Sequence, residues 1–292
     1  MDGILNLNKP AGLTSRDVVT QVSRLVGRSV KCGHAGTLDP LATGVLIVCL
    51  GKATKLVPLI HEHSKAYVGE FLLGKQSETD DVEGMVVEAD LPELTADDIR
   101  QALPRFIGRI EQIPPAHSAI KIDGERAYKA ARRGEDVQMP SRIVEISELE
   151  LTGCELPCIE LTVTCGTGTY IRALGRDIAR ALGTEAVMSS LVRTRIGPFL
   201  LADSIDLASL TRDNLNSQLL SPISGLPHLL QYQLDDDQAR RLRFGQKLET
   251  GNICSNQQMI AAVDSHRSLV AIVECRNSQL VPKIVFPADE NT

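Results

Sequence analysis

The chain has 292 residues, enough for one large domain and a smaller one. Hydrophobic residues make up 43% of it, but aromatic residues make up only 3% and Trp is absent, so aliphatic side chains must build the core. The formal net charge of −6 excludes a generally basic nucleic-acid-binding protein, and any RNA-binding surface must come from local clusters of Arg and Lys.

The chain contains seven cysteines, an odd number, and several of them lie in apolar runs typical of strands. We therefore expect buried free thiols in the reducing environment of the cytoplasm. Cys154 and Cys158 are separated by three residues, but no second pair of ligands follows, which disfavours a zinc site. No signal peptide and no run of transmembrane length is recognisable, so we expect a cytoplasmic protein without a membrane partner.

The N-terminal region predicts a short strand followed by a helix. Residues 3–7 alternate weakly, and Thr14 or Ser15 caps the helix that follows. Its apolar face consists of Val18, Val19, Val22, Leu25 and Val26. Three arginines lie elsewhere on this helix: Arg16, Arg24 and Arg28. A solvated helix face explains each arginine singly better than contact with RNA does.

Residues 33–44, with the sequence GHAGTLDPLATG, form a polar loop that holds three glycines. The apolar residues 45–50 follow and predict a strand buried on both faces. Within the loop, Pro40 pushes the backbone of Asp39 toward an extended conformation. A carboxylate fixed in a loop beside a rigid strand can act as a nucleophile. The alternative is that Asp39 only accepts hydrogen bonds from turn amides.

Periodicity predicts further elements along the chain: short helices at 52–60 and from Thr95 to Phe106, and strands at 65–73, 144–151 and 159–165. Residues 77–84 form an acidic turn whose spacing does not match an EF-hand. Residues 166–172, GTGTYIR, open another helix, but their glycines match neither a P-loop nor a complete dinucleotide fingerprint.

The densest basic cluster follows the segment 113–124, IPPAHSAIKIDG. It consists of Arg126, Lys129, Arg132 and Arg133. Such a cluster can bind phosphates, and a solvated helix face explains it about as well. Further on, prolines and serines interrupt the pattern at 222–227, and we place a domain boundary near Leu230, giving domains of residues 1–230 and 231–292.

Several of these motifs together resemble the TruB-type pseudouridine synthases. Residues 33–44 are similar to the catalytic-loop signature of that family, and residues 8–15, NKPAGLTS, to its N-terminal motif. The Lys-x-Tyr element at 65–67, the element GTYIR at 168–172 and the segment 190–199 also match. The resemblance implies an α+β fold whose large domain contains a twisted, mixed, mainly antiparallel sheet. It also implies a small, mostly-β PUA-like RNA-binding domain at the C-terminus, although a generic small β module fits residues 231–292 as well.

The same resemblance implies an isomerase that flips a T-loop uridine out of tRNA and converts it to pseudouridine, with no cofactor and no metal. It implies that Asp39 carries the catalysis and that Arg172 keeps Asp39 ionised and oriented. Tyr67 would stack on the base and assist proton removal, and Leu191 would form an apolar wall against it. His34 would fill the space that the base leaves in the RNA stack.

The remaining expectations concern partners. We expect RNA contacts from five cations: Lys9, Lys121, Arg126, Lys129 and Arg132. The partner would be the T stem-loop of tRNA, bound by a monomer without a small-molecule cofactor. Two positions depart from the family pattern, which usually has tyrosine at His117 and threonine at Ser77.

Two other functions remain open from the residues. One is a non-catalytic protein that binds or folds RNA. The other is a small-molecule enzyme that uses Asp39, such as a glycosidase, but glycosidases generally need two carboxylates and no second one is evident near Asp39 in the sequence. The combination of Asp39, Tyr67 and Arg172 favours the RNA-modifying enzyme.

Overall fold

The computed structural model describes residues 1–118, 120–122, 124–127, 130, 133, 135, 138–249, 255 and 257–286. This part of the chain forms an α+β structure with one large mixed sheet and a smaller C-terminal sheet. The α-helices are α1 (Ser15–Val26), α2 (Val57–His61), α3 (Ala96–Ala102), α4 (Ile171–Ala181) and α5 (Asp236–Arg243). Short 3₁₀ helices span Gly51–Leu56, Leu103–Phe106, Leu201–Asp203, Leu207–Ser209 and Pro222–Gly225.

The strands are β1 (Gly3–Lys9), β2 (Cys32–His34), β3 (Thr43–Leu50), β4 (Lys65–Leu73), β5 (Lys75–Gln76), β6 (Val87–Glu88), β7 (Gly108–Gln112), β8 (Lys121–Ile122), β9 (Glu125–Arg126), β10 (Arg142–Glu155), β11 (Cys158–Cys165), β12 (Ala186–Ile196), β13 (Phe199–Leu200), β14 (Ile205–Asp206), β15 (Leu230–Gln233), β16 (Leu248–Glu249), β17 (Met259–Val263), β18 (Leu269–Arg276) and β19 (Gln279–Val285).

The large sheet has the strand order β14-β1-β3-β12-β4-β11-β10-β7, with β13 paired to β12 and β2 paired to β3. The pairs β1–β14 and β12–β3 are parallel, and the other pairs in this sheet are antiparallel. The expected mixed, mainly antiparallel sheet is therefore confirmed. Strand β3 lies between β1 and β12 and is almost wholly buried, as its apolar sequence predicts.

Helix α1 begins at a capping box in which Thr14 and Asp17 exchange hydrogen bonds, and it buries Val18 and Val22. Helix α4 packs closely against β4 because residue 175 is glycine. A Cβ atom at Gly175 would lie 2.1 Å from ring carbons of Phe71. This close approach holds the first turn of α4 against the sheet.

The C-terminal sheet has the order β15-β17-β18-β19-β16 and packs against α5 around its own core. Its other face meets the large domain, since Ala261, Ile272 and Phe286 belong to the same hydrophobic cluster as Val45 and Ile47 of β3. The two parts therefore share a buried apolar interface. The predicted division between residues 230 and 231 stays a prediction.

Some predicted elements differ in detail. The helix expected from Thr95 to Phe106 is α-helical only to Ala102 and continues as a 3₁₀ turn, because Pro104 cannot donate a backbone hydrogen bond. The segment 52–60 is likewise a 3₁₀ turn followed by α2. Strands β7 and β12 were not predicted, since their charged and serine residues interrupt the apolar alternation.

Cysteine usage is mixed. Cys32, Cys49, Cys154, Cys158 and Cys165 have free thiols. Cys275, in contrast, is disulfide-bonded, so the expectation of free thiols is wrong at this position. Within the described ranges, no helix is long and apolar enough to cross a membrane. Nor do His, Cys, Asp and Glu side chains there form a group of three or more that could hold a metal ion.

Candidate active site

Asp39 lies in the loop between β2 and β3, with its side chain 32% exposed. Two glycines shape this loop. Gly36 has a φ of +115° and Gly44 a φ of +100°, both in the region that side chains disfavour. A Cβ atom at Gly44 would lie 2.3 Å from the carbonyl oxygen of Arg193, so glycine is needed where β3 begins beside β12. The loop geometry is thus set at both ends.

Lys9 supports this loop through hydrogen bonds to backbone carbonyl oxygens. Its ammonium group donates hydrogen bonds to the carbonyl oxygens of Pro10, Leu13 and Pro40 at 2.9, 2.6 and 3.1 Å. Lys9 is 0% exposed, and burial lowers the pKa of its amine to about 8, against the opposing effect of Asp39. These bonds place Lys9 as a support for the loop, and its expected contact with RNA stays a prediction.

Arg193 holds the other side of the loop and is 1% exposed. Its guanidinium donates to the carbonyl oxygens of Gly36, Thr37 and Val45 at 3.2, 3.1 and 2.7 Å. Ser15 adds a further tie, since its hydroxyl accepts from the backbone N–H of Leu38 at 2.8 Å. The sequence prediction did not include Arg193. Its position two residues after the apolar Leu191 was a usable signal, because residues i and i+2 of a strand lie on the same face.

Arg172, in the first turn of α4, meets Asp39 across the cleft. Arg172 Nε lies 3.0 Å from Asp39 Oδ2, and Nη2 donates to Oδ1 at 3.3 Å. The Nε–H does not point at the carboxylate, so the contact at this atom is an ion pair without an aligned hydrogen bond. The guanidinium also donates to the carbonyl oxygens of Thr79 at 2.7 Å and His117 at 3.3 Å. The structure thus brings together the two residues that the resemblance pairs.

A second carboxylate shares the same guanidinium. Asp81 Oδ2 lies 3.2 Å from Arg172 Nη1, and the Asp81 side chain is 4% exposed. The expectation that no other carboxylate stands near Asp39 is therefore wrong. The Asp81 carboxylate is already occupied, because its Oδ1 accepts from the Thr79 hydroxyl at 2.6 Å and from the Glu83 backbone N–H at 3.0 Å. Its burial and its bonds suit an anchor for Arg172 and not a second catalytic acid.

Gln112 positions the start of α4. No side-chain cap closes this helix, but Tyr170, its N-cap residue, is held by Gln112. The Tyr170 N–H donates to Gln112 Oε1 at 2.8 Å, and Gln112 Nε2 donates to the Tyr170 carbonyl oxygen at 3.1 Å. Because Arg172 follows two residues later, this pair of bonds fixes where its side chain leaves the helix.

Tyr67 and Leu191 are buried apolar side chains of the large sheet that pack in one cluster with the Asp39 loop. They lie on the neighbouring strands β4 and β12, where Leu191 faces Gly69 in the register, and they are 7% and 6% exposed. Both belong to the hydrophobic cluster that contains Leu38 and Ala42 from the Asp39 loop. Burial raises the pKa of the Tyr67 phenol, which therefore stays protonated at neutral pH.

His34, on β2, is partly buried, and its Nδ1 has no hydrogen-bond partner. Burial and the nearby Arg193 charge lower the pKa of its imidazole, so the ring is neutral near pH 7. Among the other predicted RNA contacts, Lys121 and Arg126 lie on the short paired strands β8 and β9, and their side chains are not described. Lys129 and Arg132 lie outside the described residues.

The fold matches solved structures over nearly the whole chain. One, titled "Structure of H/ACA RNP bound to a substrate RNA containing 2'-deoxyuridine", aligns with a TM-score of 0.76 and 24% identity, covering 99% of this chain and 86% of that one. Another, "Crystal Structure of a Cbf5-Nop10-Gar1 Complex", aligns with a TM-score of 0.74 and 26% identity, covering 98% and 85%. The fold and the site thus define the class: the α+β architecture of the pseudouridine synthases.

The sequence comparisons identify the family. The model described as "TruB family pseudouridylate synthase (N terminal domain)" matches residues 24–171. A protein named tRNA pseudouridine synthase B from Xanthomonas axonopodis pv. citri is 40% identical, covering 98% of this chain and 94% of its own. One of the same name from Rhodopirellula baltica is 43% identical over 83% and 74%. The chain belongs to the TruB family of pseudouridylate synthases.

Proposed function

We propose that this protein is a tRNA pseudouridine synthase that converts the T-loop uridine at position 55 to pseudouridine. One observation carries the proposal: a partly exposed carboxylate, Asp39, is held by the buried Arg172, in a loop that shares a hydrophobic cluster with Tyr67 and Leu191. The names of its relatives support the choice of tRNA as substrate.

The reaction breaks the N1–C1′ glycosidic bond of the uridine, turns the detached uracil and joins its C5 to C1′. C5 then loses its proton and N1 gains one, so the reaction is an isomerisation without net oxidation or reduction. No redox cofactor or energy carrier is required. An ionised carboxylate beside the ribose and base can serve by adding to C6 of the base, by adding to C1′, or by removing a ribose proton to give a glycal.

The residues of the site divide this work. Asp39 supplies the carboxylate, and its ion pair with Arg172 orients it. Tyr67 and Leu191 hold the uracil between apolar surfaces, so that the free base is retained while it turns. Because burial raises the pKa of Tyr67, its phenol stays protonated at neutral pH. Tyr67 therefore serves as a surface on which the uracil stacks and not as a proton acceptor.

The proposed substrate, the T stem-loop of tRNA, must present its uridine to Asp39. The base must leave the T-loop before it can reach Asp39, and His34 takes up the space that it vacates. The partner is the T stem-loop of tRNA, and the PUA-like residues 231–292 add contacts to the RNA. The protein acts as a monomer in the cytoplasm, where unmodified tRNA is available.

A direct test uses an unmodified tRNA transcript labelled with tritium at C5 of uridine. The protein should release tritium, and mapping should place one pseudouridine in the T-loop. Asp39→Asn keeps the size of the side chain but removes its charge, so it should abolish product formation while RNA binding persists. Normal turnover by this variant would reject Asp39 as the essential carboxylate, and tRNA binding without product by the wild type would favour the non-catalytic RNA-binding alternative.

A further inference from the structure

A cleft lined mainly by one face of α1 lies outside the site described above. It has a volume of about 640 Å³, and its lining includes Arg16, Arg24 and Arg28 of the α1 segment together with Arg212. All four arginines are exposed. The lining contains no carboxylate and no aromatic side chain. In a chain with a net charge of −6, this is a concentrated patch of positive charge.

The arginines of the cleft differ from many other arginines of the protein in having no carboxylate partner among the described residues. Arg176, Arg180 and Arg240 are paired with carboxylates at 2.8, 3.0 and 2.5 Å. None of the four arginines of the cleft forms an ion pair with any residue that the structure describes. Arg212 Nη2 donates a hydrogen bond to the carbonyl oxygen of Arg24 at 3.4 Å, and this bond leaves both guanidinium charges without a counter-charge.

The cleft begins beside the Asp39 loop. Ser15 bonds the backbone of Leu38, and Arg16, the next residue, opens the cleft. Arg16 is also close enough to His34 for its charge to lower the pKa of that imidazole, after the larger effects of burial and of Arg193. From Arg16 the row of arginines runs along the helix, with about 12 Å between the levels of Arg16 and Arg24. The patch therefore leads away from the place where Asp39 meets the base.

We infer that this α1 cleft binds the sugar–phosphate backbone of the T arm, next to the nucleotide that enters the Asp39 site. The inference deepens the proposed function and rests on it. Guanidinium groups recognise phosphates through charge and paired N–H donors. With no aromatic side chain to stack on bases and no carboxylate to accept from them, the cleft contacts backbone and contributes affinity and register without reading sequence.

The test compares the wild type with Arg24→Ala/Arg28→Ala, using a fluorescent T stem-loop hairpin and fluorescence anisotropy over a range of salt concentrations. Each phosphate contact adds about one to the slope of log Kd against log salt, so the double variant should lower the slope by about two and weaken binding about tenfold or more. Arg24→Lys/Arg28→Lys keeps the charge and should recover most of the affinity. In turnover, the alanine variant should raise KM far more than it lowers kcat.

Arg100→Ala/Arg105→Ala is the matched control, because it also removes two exposed arginines, one from α3 and one from the 3₁₀ helix that follows it. Equal affinity and equal salt slope for the cleft variant and this control would overturn the inference. A defect confined to full-length tRNA and absent with the hairpin would also overturn it. A third outcome would also overturn it: the wild type binds pyrophosphate saturably, and the cleft variant loses this binding but keeps its affinity for the hairpin. The cleft would then be a site for a small anion. If the wild type makes no pseudouridine, the proposed function fails independently of these binding results.

Discussion

The ammonium group of Lys9 donates a hydrogen bond to the carbonyl oxygen of Pro40, 3.1 Å away, directly beside the residue that we assign to catalysis. Because Lys9 is 0% exposed, its effect on activity must pass through the loop. Lys9→Met should lower kcat by about ten- to a hundredfold, since small displacements of a reacting group have effects of this size. Single-turnover tritium release measures this change.

The same variant distinguishes loop positioning from RNA contact. Lys9→Met should leave the Kd for the T stem-loop and its salt slope unchanged, because a buried cation releases no counterions from RNA. Lys52→Met removes a lysine whose side chain is 41% exposed and lies 3.9 Å from Asp2, and it is the control for loss of charge. A clear fall in the salt slope for Lys9→Met alone would contradict the positioning role.

Much of the fold could be predicted from local pattern. The capping residue Thr14, the spacing of Val18 and Val22, and the apolar run of β3 indicate their elements because each signal lies within one turn or one strand. Strand β12 escaped prediction because Arg193 stands on its buried side, where its charge is satisfied by carbonyl groups of distant loop residues. No local pattern reports such partners.

The candidate site was predicted unevenly for the same reason. The pairing of Asp39 with Arg172 came from resemblance to a family, because no local pattern links two residues that are 133 positions apart. Asp81 was interpreted as part of an acidic turn, since nothing in its neighbourhood shows that Arg172 is its partner. The burial of Lys9 could not be predicted either, because lysines are rarely buried and its three carbonyl partners are fixed by the fold.

Arg172→Lys should lower kcat by at least about a hundredfold although the charge is kept. A single ammonium group cannot reach Asp39, Asp81 and the Thr79 carbonyl in the planar geometry that the guanidinium uses. Arg180→Lys, which changes an exposed arginine in the last turn of the same helix, is the control and should keep near-normal rates. Pseudouridine formation under single-turnover conditions decides the matter, and wild-type rates for Arg172→Lys would argue against the shared ion pair.

Lys65 gives the protein a pH-dependent stability. Its Nζ donates to the carbonyl oxygens of His61 and His63, and burial lowers the pKa of its amine from 10.5 to about 8. Between these two pH values the unfolded chain binds the extra proton, so this group's contribution to the free energy of unfolding rises with pH and is constant below about pH 8.

Urea unfolding of the wild type and Lys65→Met tests this dependence. The difference in the free energy of unfolding, wild type minus variant, should rise by up to about 2 kcal/mol between about pH 7.5 and about pH 9.5. Lys9 and the other titrating groups are common to both proteins and cancel in the difference. A difference that stays flat across this range would show that Lys65 titrates at its ordinary value.

The RNA role of the C-terminal sheet should be tested by a point substitution, because truncation would also disturb the large domain. Removing residues 231–292 would expose Val45 and Ile47, which now pack against Ala261 and Ile272, so the shortened chain should be destabilised as well as weakened in RNA binding.

Phe244, at the end of α5, is 79% exposed, so its ring is accessible for stacking on a base. Phe244→Ala should therefore weaken tRNA binding about fivefold or more, since one base stack contributes about 1–3 kcal/mol. Because the ring is exposed, the thermal unfolding midpoint should stay unchanged, and the single-turnover rate at saturating tRNA should fall much less than the affinity. Leu200→Ala, which truncates a 43% exposed apolar side chain on β13, is the control for loss of exposed apolar surface. Equal tRNA affinity for both variants would exclude Phe244 from the RNA interface.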